Sequence, residues 1–252
     1  MTVLEPMVIK RKQFMGDKTL RCYVIPKGTT EIGEWAFSGC KALSHVAIPS
    51  TVEHIGREAF ANCDQLRTAS LYQENEEEED DLASLMAIAL RYFKTDGRLI
   101  TERKNGRENW LKLWDEACDQ FLDSPDEEGF RPFLAGGEED YEDEAKKREE
   151  HCRMARLRKA RAVYERLATL EDDEHLTHFQ KRFRENDMSL ELLTNELEYP
   201  QQALRVYESA GLLTRENCLR VLEELPEERV EFKALLLQRV AAETKVFSLE
   251  LI

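Results

Sequence analysis

The side chains able to do chemistry in this chain are scattered, and none of their groupings is complete. His175 and His178 stand three apart beside Asp172, Asp173 and Glu174. That spacing on a helix can bring two imidazoles to one metal, but no defined third ligand completes a site. Cys152 follows His151 and pairs a thiol with a base, yet a nucleophilic pair needs an orienting partner that the sequence does not specify. With 51 Asp and Glu, carboxylate pairs occur everywhere and single out no general acid or base. The phosphate-cradling GxGxxG and GxxxxGK[ST] patterns and the GxSxG nucleophile pattern do not occur. The expectation is a non-enzyme without metal or cofactor.

Binding is better represented. Lys146 to Arg161 holds eight basic side chains in sixteen residues, among them Lys147, Arg148, Arg153 and Arg156, which are candidates for meeting an acidic protein partner. Against this, Glu142/Lys146, Asp143/Lys147, Glu144/Arg148 and Glu149/Arg153 are acid-first i, i+4 pairs, the favoured order on an exposed helix. No aromatic residue interleaves the cluster for base stacking, so nucleic acid is the least favoured partner. Trp110, Leu111, Leu113, Trp114, Ala117, Cys118 and Phe121 form a wide apolar stripe. The stripe reads first as core; Trp110 and Trp114 exposed together would be a protein-binding hot spot. Val246, Phe247, Leu249, Leu251 and Ile252 form an apolar tail suited to docking on the body or a neighbour.

These residues need elements to position them, and the composition indicates which. The 252 residues carry 36 Lys and Arg against 51 Asp and Glu, a formal charge of −15. Such a field repels phosphate backbones. Apolar runs are far too short for a membrane span, and Met1 to Lys12 lacks the order of a secretory signal, so the expected location is the cytoplasm. The six cysteines form no Cys-x-x-Cys pair, and free thiols are expected there. Charge is unevenly divided: residues 1–73 hold 9 basic and 7 acidic side chains, residues 74–252 hold 27 and 44. The expected domains are therefore 1–73 and 74–252, joined through the acidic run Glu74 to Asp81.

The first of these domains repeats. Ile25 to Ala47 and Ile48 to Ser70 align at a period of 23 residues, matching Ile25/Ile48, Pro26/Pro49, Ile32/Ile55, Gly33/Gly56, Ala36/Ala59, Phe37/Phe60, Cys40/Cys63 and Leu43/Leu66. The frame extends back in weaker form through Ile9, Phe14, Gly16, Asp17 and Leu20, giving two clear coils and one degenerate coil. A 20–29-residue period with spaced Leu and Ile marks a leucine-rich solenoid. Leu43, Val46 and Ile48 point inward from a short strand by two-residue alternation, Pro49 ends it, and Trp35 to Phe37 and Glu58 to Phe60 read as a helical turn. Cys22, Val24, His45, Ala47, Thr68 and Ser70 then form a small outward face, and His45 and Thr68 are its binding candidates.

The pattern I-P-x-x-x-x-x-I-G-x-x-A-F-x-x-C-x-x-L resembles the BspA-type leucine-rich repeat proteins of bacteria over about residues 2–71. The resemblance implies a right-handed β-solenoid, structural roles for inward Cys40 and Cys63, and a part in protein binding.

The second domain reads as helices. Leu82, Leu85, Met86, Ala89, Leu90 and Phe93 make a one-sided amphipathic helix ended by Gly97. Further helices are expected at about 107–122, 138–170, 173–186, 188–198, 200–210, 215–224 and 227–243. Ala89 to Glu102 echoes Ala203 to Arg215 as a helix, glycine stop, helix unit, which suggests antiparallel hairpins stacked as a short α-solenoid. The fold class expected is mixed: a short leucine-rich β-solenoid followed by an all-α domain. The expected function is a non-catalytic interaction or scaffold protein that binds another protein, with a homo-oligomer permitted. The alternative is an acidic decoy or inhibitor occupying the basic groove of a nucleic-acid-binding enzyme.

Overall fold

Among the described residues, six short strands near the N-terminus alternate between two parallel sheets, so that each passage of chain contributes one strand to each. The strands are β1 (Met7–Ile9), β2 (Cys22–Val24), β3 (Thr29–Ile32), β4 (His45–Pro49), β5 (His54–Ile55) and β6 (Thr68–Tyr72). One sheet has the order β1-β3-β5 and the other β2-β4-β6. The computed structural model describes residues 7–72, 81–94, 98–103, 106–130, 139–169, 176–195 and 197–249. The chain divides into two compact units, residues 1–124 and 125–252. The change in composition at 73/74 thus falls inside the first unit, where helices follow the strands.

The 23-residue period is a backbone register. Cys22, His45 and Thr68 are successive Cα partners, as are Val24, Ala47 and Ser70. Inward from them Val46, Ile48 and Ala69 are fully buried. Phe14, Phe37 and Phe60 stack with centroids 5.0 Å apart at each step. Each periodic thiol donates to the phenylalanine carbonyl of the preceding coil, Cys40 to Phe14 O at 3.0 Å and Cys63 to Phe37 O at 3.1 Å. Burial pushes the Cys63 thiol up to about 12 and the Cys40 thiol in the same direction. The first coil, expected to be degenerate, takes full part in this ladder: a half-buried Phe14 ring holds its place where surrounding residues are unlike the consensus.

Two left-handed backbone sites recur in every coil. Lys12, Trp35 and Glu58 have φ of 59°, 53° and 55°, and Gly16, Gly39 and Asn62 have 75°, 76° and 57°. This corrects the helical turn expected at Trp35–Phe37 and Glu58–Phe60. Tight turns replace it, with Ala36 N donating to Gly33 O, Ser38 N to Trp35 O and Cys40 N to Phe37 O. Gly33 and Gly56 are needed for a different reason, close approach: a Cβ on Gly56 would stand 2.3 Å from Glu34 N.

After the strands, α1 (Ala83–Tyr92) packs against β6 and buries Leu85, Met86 and Ala89. Arg91 donates from both terminal nitrogens to Leu66 O and Asp64 O, each at 3.1 Å. Next come α2 (Arg98–Arg103) and α3 (Arg107–Asp123), α2 supplying the second helix of the unit inferred from the echo. The second unit contains α4 (Glu139–Thr169), α5 (Leu176–Glu185), α6 (Ser189–Asn195), α7 (Pro200–Ser209), α8 (Arg215–Glu224) and α9 (Val230–Leu249). Pro200 sits in the first turn of α7, and Thr214 caps α8 by accepting from Asn217 N at 3.2 Å. Its core gathers Tyr164, Phe179, Phe183, Leu193, Tyr207 and Leu236. No helix among the described residues is long and apolar enough to cross a membrane.

Candidate interaction surface

Alternation along β2, β4 and β6 leaves one row of side chains facing out. In that row Val24 is 64% exposed, Cys22 is exposed, and His45, Ala47, Thr68 and Ser70 are half-buried. His45 Nδ1 and Thr68 Oγ1 lie 2.8 Å apart, which fixes the imidazole against the neighbouring coil. Ser44 Oγ donates to Arg21 O at 3.0 Å and lies 3.8 Å from Cys22 Sγ. The result is a small, nearly uncharged face on a backbone held by hydrogen bonds to both neighbouring coils.

The basic candidates on α4 are largely occupied by the chain's own carboxylates. Arg148 donates to Glu127 at 2.6 Å, and Arg153 to Glu150 at 2.8 Å and to Glu191. Arg156 lies 3.4 Å from Asp187, Lys159 is 2.7 Å from Asp126, and Arg161 is 2.8 Å from Glu165. The partners of Arg148 and Arg153 are not the carboxylates expected at i−4. Pairing is instead largely tertiary, because loops and α6 bring acids alongside α4. Its hydrogen bonds to Glu150 and Glu191 hold the Arg153 guanidinium more firmly charged, and Arg153 holds the Glu150 carboxyl below its ordinary range. Lys147 is exposed.

Trp110 and Trp114 are fully buried, which corrects their candidacy as exposed anchors. Their indole N–H groups donate to Leu99 O at 2.7 Å and Leu85 O at 2.8 Å. Both rings thus lock α3 to the helices before it, and a satisfied buried indole has no surface to offer. Nearby Lys94, Arg98, Leu99, Leu113, Glu116, Ala117 and Gln120 line a cavity of about 170 Å³. That is smaller than the roughly 300 Å³ at which small-molecule sites begin.

His175 lies outside the described residues, with Asp172, Asp173 and Glu174, and so does the paired-imidazole reading. His178 packs edge-on against Phe179 at 5.3 Å. Among the described residues no three His, Cys, Asp or Glu side chains converge to hold a metal. His151 Nε2 is 3.0 Å from Glu128 O, and its ring lies 5.5 Å from Phe130, a packed position beside half-buried Cys152. The tail residues Leu251 and Ile252 lie outside the described residues. Nothing is described of the side chains of Val246, Phe247 and Leu249.

Sequence reasoning passed over two features. Trp35 stands half-buried among Arg11, Lys12 and Arg57, whose cations lie 4.8, 5.2 and 5.5 Å from its ring, while its Nε1 donates to Glu58 at 3.0 Å. Arg166 is fully buried with its guanidinium 5.6 Å from the Phe179 ring. The 23-residue spacing of Trp35 and Glu58 was a legible signal for the first; nothing in the local pattern marked the second.

Residues 7–83 match the family model described as BspA type Leucine rich repeat region (6 copies). No curated protein and no solved structure matches the chain.

Proposed function

We propose that this chain is a non-catalytic protein-interaction protein. Its first three coils form a short solenoid that presents the outward row of β2, β4 and β6, and the helices that follow in sequence serve as scaffold. The observation that supports this reading is the regular ladder at Cys22, His45 and Thr68 within a matched leucine-rich repeat region. A row of small neutral side chains on a rigid backbone favours a flat polypeptide contact, because little side-chain entropy is lost on covering it. Cytoplasmic placement is part of the proposal, supported by buried Cys40 and Cys63 thiols that serve as hydrogen-bond donors. The decoy reading gains nothing from the geometry, since Asp126, Glu127, Asp187 and Glu191 already pair with cations of α4.

The test is partner capture by the full chain, identified by mass spectrometry, compared with Ala47→Arg and Thr68→Arg. Both substitutions should abolish recovery of the same partner while leaving the melting temperature within a few degrees of the parent. Undiminished capture by both variants would remove the outward row from the proposal. A reproducible turnover that depends on a named side chain would remove the non-catalytic reading.

A further inference from the structure

Lys12, Trp35 and Glu58 occupy one left-handed backbone site in three successive coils. Lysine fills that turn on one side and glutamate on the other, so the coil geometry does not require an indole at Trp35. Phe14, Phe37 and Phe60 are the opposite case, since every coil packs a ring there. The repeat explains the phenylalanines and leaves the tryptophan unexplained.

The neighbours of Trp35 come from both adjoining coils. Arg11 and Lys12 approach the ring from the coil before and Arg57 from the coil after, at 4.8, 5.2 and 5.5 Å. Lys12 N donates to Glu34 O at 3.0 Å and Trp35 N to Arg57 O at 3.2 Å, which ties the three turns together. Trp35 Nε1 donates to Glu58 at 3.0 Å and anchors the ring. The cluster is thus built in advance of any partner, and ordering it costs little on binding.

Its strongest donors remain available. Arg11 meets Glu34 through Nε at 3.5 Å, and Arg57 meets Glu58 through Nε at 3.9 Å. The terminal nitrogens of both guanidiniums make no hydrogen bond among the described residues, and Lys12 makes no ion pair among them. The side chains of Arg11 and Arg57 are 61% and 69% exposed. A guanidinium held against an aromatic ring still offers its rigid fork of N–H groups, which matches a carboxylate. Trp and Arg are also the residues most enriched where protein contacts are strongest.

Charge selects the class of partner. Three cations outnumber Glu34 and Glu58 here, on a chain whose formal charge is −15, so this patch draws acids where the rest of the chain repels them. A nucleic acid strand needs a continuous basic groove and open ring faces for its bases. At this site cations already lie over the ring and two carboxylates stand beside it. An acidic polypeptide needs only a few carboxylates in reach and one side chain for the indole.

We propose that Trp35, with Arg11, Lys12 and Arg57, forms a docking site for an acidic segment of a partner protein. Carboxylates of the segment accept from the terminal N–H groups of the two arginines and from Lys12, and one apolar side chain covers the exposed part of the indole. The inference rests on the protein-binding reading and adds a second surface, on the turns that follow β1, β3 and β5, with a defined partner chemistry.

The experiment measures fluorescence anisotropy of a short labelled peptide that alternates Glu and Ser around one central Leu, titrated with the full chain. A comparison peptide replaces Glu with Gln. The Glu peptide should bind, weaken roughly tenfold between about 50 and about 300 mM salt, and lose at least about tenfold with Lys12→Glu plus Arg57→Glu at unchanged melting temperature. The Gln peptide should bind at least about tenfold more weakly. Trp35→Lys is the deciding variant, because the first coil already carries Lys at this site and the change adds a cation. Binding should fall at least about tenfold, whereas attraction by charge alone would tighten it. Trp110 and Trp114 are fully buried, so a shift in tryptophan emission on adding unlabelled peptide should arise at Trp35 and vanish in Trp35→Lys. Ala47→Arg should leave peptide binding intact, which separates this site from the outward row. No binding of the Glu peptide, equal binding of the Gln peptide, equal binding by the charge-reversed variant, or equal or tighter binding by Trp35→Lys would overturn the inference while leaving partner capture through the outward row standing. An RNA gel shift, or a sedimenting dimer, that Trp35→Lys abolishes would overturn it by naming a different occupant.

Discussion

The two ends of the coil stack are built from the same repeat and meet different surroundings. At the far end α1 covers β6, burying Leu85, Met86 and Ala89, and Arg91 closes the carbonyls of Asp64 and Leu66. At the near end Met7, Val8, Met15 and Val24 are exposed, and the acceptors of the first coil have no described donor. A repeat satisfies its backbone only through a neighbour. What the ends teach is that one is closed by a helix within the same unit, while no described residue covers the other.

The largest expected effect is at Gly56. Gly56→Ala places a methyl group 2.3 Å from Glu34 N, and neither backbone has room to retreat. It should cost about 3 kcal/mol, read by denaturant unfolding. Lys10→Ala, at the equivalent and exposed position of the first coil, should change stability by no more than about 0.5 kcal/mol. Similar losses at both would abolish the contrast between the ends.

Phe37→Ala removes a ring stacked between Phe14 and Phe60 and should cost about 3 kcal/mol or more. Met15→Ala, at a side chain 53% exposed, should cost less than about 0.5 kcal/mol. Both are measured by the shift in the unfolding midpoint.

Cys63 gives the interior a pH signature. Its folded pKa is pushed up to about 12 from an ordinary value of 9.0, so the unfolded chain releases the thiol proton first as pH rises. The contribution is fully present below the unfolded pKa and is lost as pH rises through the folded value. Stability should therefore fall between about pH 9 and about pH 12, and Cys63→Ala should flatten that alkaline limb in a pH series of unfolding curves. In the native protein a disulfide-exchange reagent should react with exposed Cys22 well ahead of buried Cys40 and Cys63.

The smallest effect sharpens the comparison from the other unit. Arg148→Ala breaks a pair in which both side chains are more than half exposed, and should cost less than about 0.5 kcal/mol by thermal unfolding. Arg153→Ala, whose guanidinium serves both Glu150 and Glu191, should cost more than Arg148→Ala.

Legibility followed the range of the interactions. Ile32 and Phe37 recur because each meets its own equivalent one coil away, Ile32 paired with Ile55 and Phe37 stacked on Phe60, and the register could be read to the residue. The left-handed turns at Trp35 and Glu58 were misread, since Ala and Phe in a short run resemble a helical turn and non-glycine residues rarely take φ near 55°. Pro200, Thr214 and Gly211 marked helix boundaries correctly because caps and stops are local chemistry. The fate of Trp110 and Trp114 was not local. An apolar stripe has the same spacing whether it faces core or partner, and only the carbonyls of Leu85 and Leu99 decided it.

Sequence alone determined the 23-residue period, the inward and outward alternation of its strands, and most helix boundaries, because these depend on groups a fixed number of bonds apart. Tertiary structure decided which cations are taken, Arg148 by Glu127 and Arg156 by Asp187, and which end of the stack is covered. Those outcomes depend on chain brought back from tens of residues away, where an ion pair or a buried indole forms only once packing has placed both partners within a few ångströms.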